Sequence, residues 1–310
     1  MKKISVVTPC YNEEMNVEKL YSAVKEIFRK SLKKYKYEHI FIDNASKDNT
    51  VIELKKIAKH DKNVKIIINA RNFGHIRSPY YGLLQANGDA VVMLVADFQD
   101  PPQMIADFVH SWEKGNDIVI GVKSKSRENA LMFLMRKLYY ILIRKFGEID
   151  HIDNFTGFGL YDKNVISVLN KFKDPYPYFR GLIAEIGFRR EVIEFVQPKR
   201  KAGKTKNNFY TLYDMAMLGF VNNSKIPLRI AAFAGFIFGA ISFIVALSYL
   251  VMKLVFWDRF QMGTAPVIIG LFFFSSVQLF FIGILGEYIG AIYTQVKDRP
   301  LVIEKERINF

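Results

Sequence analysis

The sequence predicts an α/β protein with a mostly parallel, doubly wound sheet, followed by two helices able to cross a bilayer. Three observations carry this expectation. Short apolar runs alternate with amphipathic helical stretches from Ile4 to Val122, the pattern of parallel strands joined by helical crossovers. The first four of these runs each end in a polar loop, as in open sheets that bind ligands at their carboxyl edge. Beyond residue 226 the composition changes sharply. No charged residue occurs from Ile230 to Met252 or from Gln261 to Gly286, and both runs exceed the roughly 20 residues needed to span a bilayer.

Taken in order, Ile4 to Thr8 reads as a buried strand and Pro9 to Glu14 as the loop leaving it. Val17, Leu20, Tyr21, Val24, Ile27 and Phe28 then recur at helical spacing. His39 to Ile42 is a second strand, ending in Asp43-Asn44-Ala45-Ser46. Val64 to Ile68 is a third, ending in Asn69-Ala70-Arg71-Asn72-Phe73-Gly74, with a helix over Ile76 to Ala86. The apolar run before Asp97-Phe98-Gln99-Asp100 is the fourth strand, and a helix follows Pro101-Pro102. Ile118 to Val122 is the fifth. The boundaries expected are a catalytic-type domain over 1–204, an interfacial amphipathic helix over 205–228, a membrane hairpin over 229–294 and a tail over 295–310.

Half of the 310 residues are hydrophobic and the formal charge is +14, which points to an anionic partner such as an acidic membrane surface or a phosphorylated substrate. The single cysteine, Cys10, excludes an intramolecular disulfide. Ile4 to Val7 is too short for the apolar core of a signal peptide. Lys225, Arg229, Lys297 and Arg299 flank the hairpin and place both its ends, with the N-terminal domain, in the cytoplasm. A nucleic-acid partner, conceivable from charge alone, is not expected beside such a hairpin.

The strand-end loops carry the candidate chemistry. Asp43 is placed to accept from nucleobase N–H groups or ribose hydroxyls, or else to stabilise its own turn. Arg71 faces either a phosphate or a nearby carboxylate. In extended chain Asp97 and Gln99 project to the same side and suit two oxygen ligands on one hard cation. Asp100, before two prolines, reads as the cap of the following helix. No glycine-rich phosphate cradle is present, so the phosphates of a nucleotide would need a metal.

Val6-Val7-Thr8-Pro9-Cys10-Tyr11-Asn12-Glu13-Glu14, Asp43-Asn44-Ala45-Ser46, Arg71-Asn72-Phe73-Gly74 and Asp97-Phe98-Gln99-Asp100-Pro101-Pro102 resemble, in that order, family 2 glycosyltransferases of the GT-A fold. Within them the chain is similar to the polyprenyl-phosphate sugar transferases, a group that includes dolichyl-phosphate mannose synthase and bactoprenol glucosyltransferase. The stretch Gly283-Ile284-Leu285-Gly286-Glu287-Tyr288-Ile289-Gly290 with Lys297-Asp298-Arg299-Pro300 is similar to the tail of the bactoprenol group. The resemblance implies a Rossmann-like GT-A domain and inverting transfer of a sugar from a nucleotide-sugar, UDP-linked by preference, to polyprenyl (undecaprenyl) phosphate at the inner membrane. It further implies that Pro9, Tyr11, Glu13, Asp43 and Arg71 hold the nucleotide-sugar, and that Asp97 and Gln99 bind Mg²⁺ or Mn²⁺ bridging the diphosphate. Arg127, Arg136, Arg180, Arg200 and Lys204 would meet the acceptor phosphate, with Asp97, Arg200 and Asp153 catalytic. A homo-oligomer is implied as well.

Three departures from that pattern matter. Val95 stands where many relatives carry a first metal-binding Asp, and Asn44 where a second Asp is usual. Thr156-Gly157-Phe158-Gly159-Leu160 replaces Gly-Asp-Phe-Arg-Leu, so the acidic residue proposed as acceptor base is missing. A phosphomonoester has a second pKa near 6 and is already ionised at neutral pH, so the loss is tolerable. The alternatives are a polysaccharide-extending transferase and a non-catalytic membrane protein that binds nucleotide-sugar.

Overall fold

A computed structural model gives the architecture and describes residues 1–124, 152, 155–198, 224–256 and 264–310. Strands β1 (Lys3–Cys10), β2 (Lys36–Asp43), β3 (Val64–Asn69) and β4 (Ala90–Met93) lie in the order β4-β1-β2-β3 and are all parallel. Helices α1 (Val17–Lys30), α2 (Thr50–His60) and α3 (Gly74–Leu84) connect them, as short apolar strands buried on both faces require. The chain leaves β1 towards β2 on one side and returns to it through β4 on the other. That reversal puts a crevice at the carboxyl ends of β1 and β4.

Beyond β4 the pattern becomes mixed. Helix α4 (Met104–Glu113) leads to β5 (Ile118–Lys123), but β6 (Phe155–Asp162) inserts antiparallel between β4 and β5. After α5 (Lys163–Leu169) and α6 (Phe179–Glu185), β7 (Arg190–Phe195) pairs parallel with β5 at the edge. Helix faces with apolar residues at i, i+3 and i+4 cover both sides of the sheet. Val17, Leu20, Val24 and Phe28 of α1 join Leu54 of α2 and Phe108 of α4 on one face. Tyr80 and Leu83 of α3 join Val165 of α5 and Ile183 of α6 on the other.

Helices α7 (Ile226–Val255) and α8 (Thr264–Val296) form the apolar hairpin. Each is long and apolar enough to cross a bilayer over Ile226–Met252 and Gly270–Val296. Buried core helices pass the same composition test, and exposure decides against that reading here: Phe236 is 77% and Leu279 68% exposed. Apolar surface of that extent calls for a lipid or protein cover. Near the domain, the Tyr288 hydroxyl donates to the Ser224 carbonyl at 2.6 Å, which fastens the start of α7 to the end of α8.

The tail expected over 295–310 contains a further strand. Residues Glu304–Ile308 form β8, antiparallel to β3 at the edge of the sheet. Asn309 Nδ2 donates to the Ala58 and Val64 carbonyls, both at 2.9 Å, and Lys55 pairs with Glu306 at 2.6 Å. The chain therefore returns from the hairpin into the domain it left. The interfacial helix expected over 205–228 lies, up to residue 223, outside the described residues.

Candidate active site

The parallel strands β1 to β4 bring their carboxyl-end loops to one edge of the sheet. At the end of β1, Pro9 removes a backbone donor, which a central strand tolerates only where the ladder has stopped. Val7, two residues earlier and facing the same side, accepts from Leu94 just past β4, so Pro9 faces the side on which β4 has already ended. Asn12 and Ala45 take left-handed backbone, at φ 57° and 61°, and their two loops lace together. Asn12 donates its amide to Ser46 Oγ and accepts the Lys47 amide, while the Glu13 amide reaches Thr50 Oγ1. The Glu13 carboxylate accepts from Asn16 at 2.7 Å, and Tyr11 lies half-buried beside it.

Asp43 closes β2, fully buried, with Ser46 donating both its hydroxyl and its amide to the carboxylate. Burial raises the Asp43 pKa above the usual carboxylate value against those bonds. The residue therefore performs the turn-stabilising role; with the Ala45 backbone also donating, three of a carboxylate's four lone-pair directions are used and one remains for a further donor. Its neighbour Asn44 is a junction. Asn44 Nδ2 donates to Asn72 Oδ1 and the Gly74 carbonyl, and Asn44 Oδ1 accepts from the Phe73 amide and from Asn69 Nδ2. An aspartate here would lose both donations, so the departure at this position has a structural cause. Arg71 lies with its guanidinium 4.1 Å from the Phe73 ring centre and donates to the Asn72 carbonyl at 3.1 Å.

The end of β4 corrects two expectations. The chain from Asp97 to Gln99 is a turn rather than an extended strand: Phe98 sits at φ 59°, and the Gln99 amide donates to Asp97 Oδ1 at 3.1 Å. Strand alternation therefore does not set the direction of the Gln99 side chain. Asp100 does not cap α4 either. That helix starts at Met104 after Gln103, without a side-chain cap, because Pro101 and Pro102 first make a tight turn in which the Met104 amide reaches the Pro101 carbonyl. Asp100 instead folds back, is 4% exposed and accepts a hydrogen bond from the backbone of Val95. Burial pushes its carboxyl up to about 7, Lys123 at the end of β5 pulls against this, and the charge of Asp97 adds to it.

Two buried carboxylates in mutual repulsion, with an amide side chain between them in sequence, fit a hard divalent cation by donor chemistry. No cluster of three or more His, Cys, Asp or Glu ligands occurs among the described residues. A cation here would complete its shell from waters and substrate phosphates, as Mg²⁺ commonly does. Asp100 and Lys123 escaped sequence reasoning because the two prolines imitate a helix start. The signal that could have found Asp100 is its spacing, three residues from Asp97 on a turn.

Beside this corner β6 bulges against β5, where the register shifts between Ile120 and Val122. Gly157 sits in the bulge at φ 100°, its carbonyl accepting the Tyr161 hydroxyl at 2.7 Å. A Cβ on Gly159 would lie 2.5 Å from the Val119 carbonyl oxygen. Both glycines are thus fixed by backbone geometry, and the carboxylate and guanidinium of the familiar motif have no place here without a local rearrangement. Arg180 follows Phe179, whose ring faces Gly157, and is half-buried at the start of α6. Arg127, Arg136, Asp153, Arg200 and Lys204 lie outside the described residues.

Comparison with known proteins places this arrangement. Residues 5–169 match the family described as Glycosyl transferase family 2. YkcC of Bacillus subtilis (strain 168), an uncharacterized glycosyltransferase, is 34% identical over 96% of this chain and 92% of its own length. The SfII prophage-derived bactoprenol glucosyl transferase of Shigella flexneri is 32% identical over 98% of both chains. A glycosyltransferase of Synechocystis sp., sll0501, is 32% identical over 97% of this chain and 94% of its own length. The family match spans every strand-end loop of the site, from the β1 loop to the β6 bulge, and the chain belongs to glycosyltransferase family 2 and is a glycosyltransferase of GT-A-like fold.

Proposed function

We propose that the protein transfers a sugar, with inversion, from a UDP-sugar to a polyprenyl phosphate at the cytoplasmic face of a membrane. The observation that supports this most is Asp97, a buried carboxylate at the strand-reversal crevice of a domain to which the apolar hairpin returns through β8. The relatives named bactoprenol glucosyl transferase support the acceptor class, and the exposed apolar helices support the membrane setting.

In this reading Pro9, Tyr11, Glu13, Asp43 and Arg71 border the nucleoside, Asp43 offering its remaining acceptor capacity to a base N–H. Asp97, with Gln99, holds Mg²⁺ or Mn²⁺, which when bound neutralises charge on the departing diphosphate. Asp100 and Lys123 hold the turn that aims Asp97. A phosphate oxygen of the acceptor attacks the anomeric carbon in line, and the electron pair of the breaking bond leaves on the nucleoside diphosphate. The acceptor is ionised near neutral pH, so Gly157 in place of an acid removes no obligatory proton acceptor. Arg180 and the basic side chains Arg127, Arg136, Arg200 and Lys204 provide the charge that brings two anions together. Asp153 remains the candidate where a carboxylate takes part.

Purified protein incubated with labelled UDP-sugars, polyprenyl phosphate and Mg²⁺ tests this. The expected result is EDTA-sensitive transfer of label to lipid. Nucleotide binding without transfer from any donor sinks the reading and favours a non-catalytic binding protein, which Gly157 and Gly159 would suit.

A further inference from the structure

Near the end of α8, two guanidinium groups lie over the buried Phe73 ring, and a third, that of Arg299, is close enough to repel one of them. Arg71 lies 4.1 Å and Arg77 5.9 Å from the Phe73 ring centre. Arg77 Nη2 donates to the Pro300 carbonyl at 2.8 Å, which brings Arg299, the preceding residue, to the same corner. Among the described residues Arg77 Nε is buried and has no hydrogen-bond partner, an expensive state for a charged donor. The Arg77 pKa is lowered by burial and then by the charges of Arg71 and Arg299, with Tyr176 opposing. Helix α3 starts at the same corner without an acidic residue in its first turn, so its positive end adds to the potential rather than cancelling it.

The depth of this corner is set by the hairpin. The apolar span of α8 runs to Val296, and three extended residues reach at most about 10 Å, so Arg299 lies within that distance of the end of the span on the domain side. Arg299 is exposed there, available to a ligand that approaches along the end of the hairpin.

We propose that Arg77 and Arg299 form a site for the phosphate of an acidic lipid headgroup, next to but separate from the nucleotide crevice that Arg71 borders. The proposal rests on the membrane-spanning reading of the hairpin but not on sugar transfer. A bound headgroup phosphate gives Arg77 an anionic partner, which none of the described residues supplies, relieves repulsion among the guanidinium groups and ties the return segment Pro300 to the bilayer surface. The fixed, forked geometry of guanidinium suits a phosphate contacted from more than one side. The class of ligand is an anionic glycerophospholipid, and the recognition resides in charge and planar donors rather than in the acyl chains.

The experiment is lipid retention by the full-length protein in detergent, counted by native mass spectrometry with phosphatidylglycerol or phosphatidylcholine. Wild type, Arg299→Gln and the Arg77→Gln/Arg299→Gln pair are compared, with thermal melting as the check of folding. Wild type is expected to retain phosphatidylglycerol in preference, and the preference to fall about fivefold for each guanidinium removed. Unchanged preference in folded variants overturns the site. Arg299→Gln keeps the test alive where Arg77→Gln disturbs the bond to Pro300. Polyprenyl phosphate and inorganic phosphate are run as separate arms. Variants that lose polyprenyl phosphate while keeping phosphatidylglycerol assign the corner to the acceptor and overturn the headgroup. Inorganic phosphate that binds as tightly as phosphatidylglycerol, and is lost with the arginines, overturns it as well. No readout uses sugar transfer, so an inert enzyme leaves this test intact.

Discussion

Asp97 and Asp100 occupy the same buried corner, yet they hold it in different ways. Asp97 sits on a turn whose backbone supplies one donor, while Asp100 is buried against the Val95 backbone with Lys123 facing it. Asp97→Ala should lower transfer about 10²–10³-fold if the departing diphosphate depends on a cation held there. The residual rate should no longer respond to EDTA, and retention of full metal-dependent activity would rule out the assignment. Gly157→Asp, which restores the sequence usual among relatives, should not raise activity. Its φ of 100° is strained for any residue with a Cβ, at a cost of roughly 1–3 kcal/mol, readable as a lower melting temperature. Asn44 teaches the same lesson: a departure that looked like a lost charge is a hydrogen-bond junction of four contacts. Residue types were legible in the sequence here, but which glycines and amides are structural depends on backbone angles and neighbours that no spacing reveals.

At the scale of elements, β1, β2 and β3 are joined beneath the site by Glu38, 3% exposed. Glu38 takes hydrogen bonds from Ser5 and the Asn87 amide, and pairs with Lys3 and Lys65 at 2.9 and 2.8 Å. Burial works against its charge, but Lys65, Ser5, Asn87 and Lys3 together bring its pKa down to about 2. A depressed carboxylate pKa adds stability that is complete above the unfolded value near 4.5 and is lost as pH falls towards 2. Glu38→Gln should therefore lower stability at pH 7, by about 2 kcal/mol, and flatten the dependence between pH 4.5 and 2. Denaturant melts across that range check both parts. Strand β8 gives a second test. Removing residues 301–310 uncovers the β3 edge and takes away the buried Val302 side chain, 6% exposed, at roughly 2–4 kcal/mol, so the melting temperature should drop about 5–10 °C. An unchanged melt would show β8 to be outside the cooperative unit. The alternating residues of β8 are charged (Glu304, Glu306) or short of apolar neighbours, which is why the periodicity of the tail did not announce a strand.

For the whole molecule, the return of α8 into the sheet through β8 and the bond of α8 to the start of α7 have a consequence for mechanism. In the membrane-spanning reading these ties hold the domain near the bilayer, so an ionised acceptor phosphate can be delivered by position and charge rather than by proton abstraction. Transfer rates should rise as the acceptor phosphate loses its second proton near pH 6 and then stay level to about pH 8. A second ionisation in that range that survives Asp100→Asn would instead indicate a general base and return attention to Asp153, while one lost in that variant belongs to the Asp100 carboxyl, pushed up to about 7.

The sequence by itself determined the alternation of strands and helices, the two uncharged spans and the loops that carry chemistry, because these are written in local periodicity and composition. It also determined the family, since the motifs keep their order along the chain. Tertiary structure decided what local pattern does not encode: the insertion of β6 between β4 and β5, the return of β8 to β3, the burial of Asp100 beside Asp97, and the corner where Arg71, Arg77 and Arg299 meet. Each of these joins residues far apart in sequence or turned away from ideal strand geometry. Their energies come from partners and burial that exist only once the chain has closed on itself.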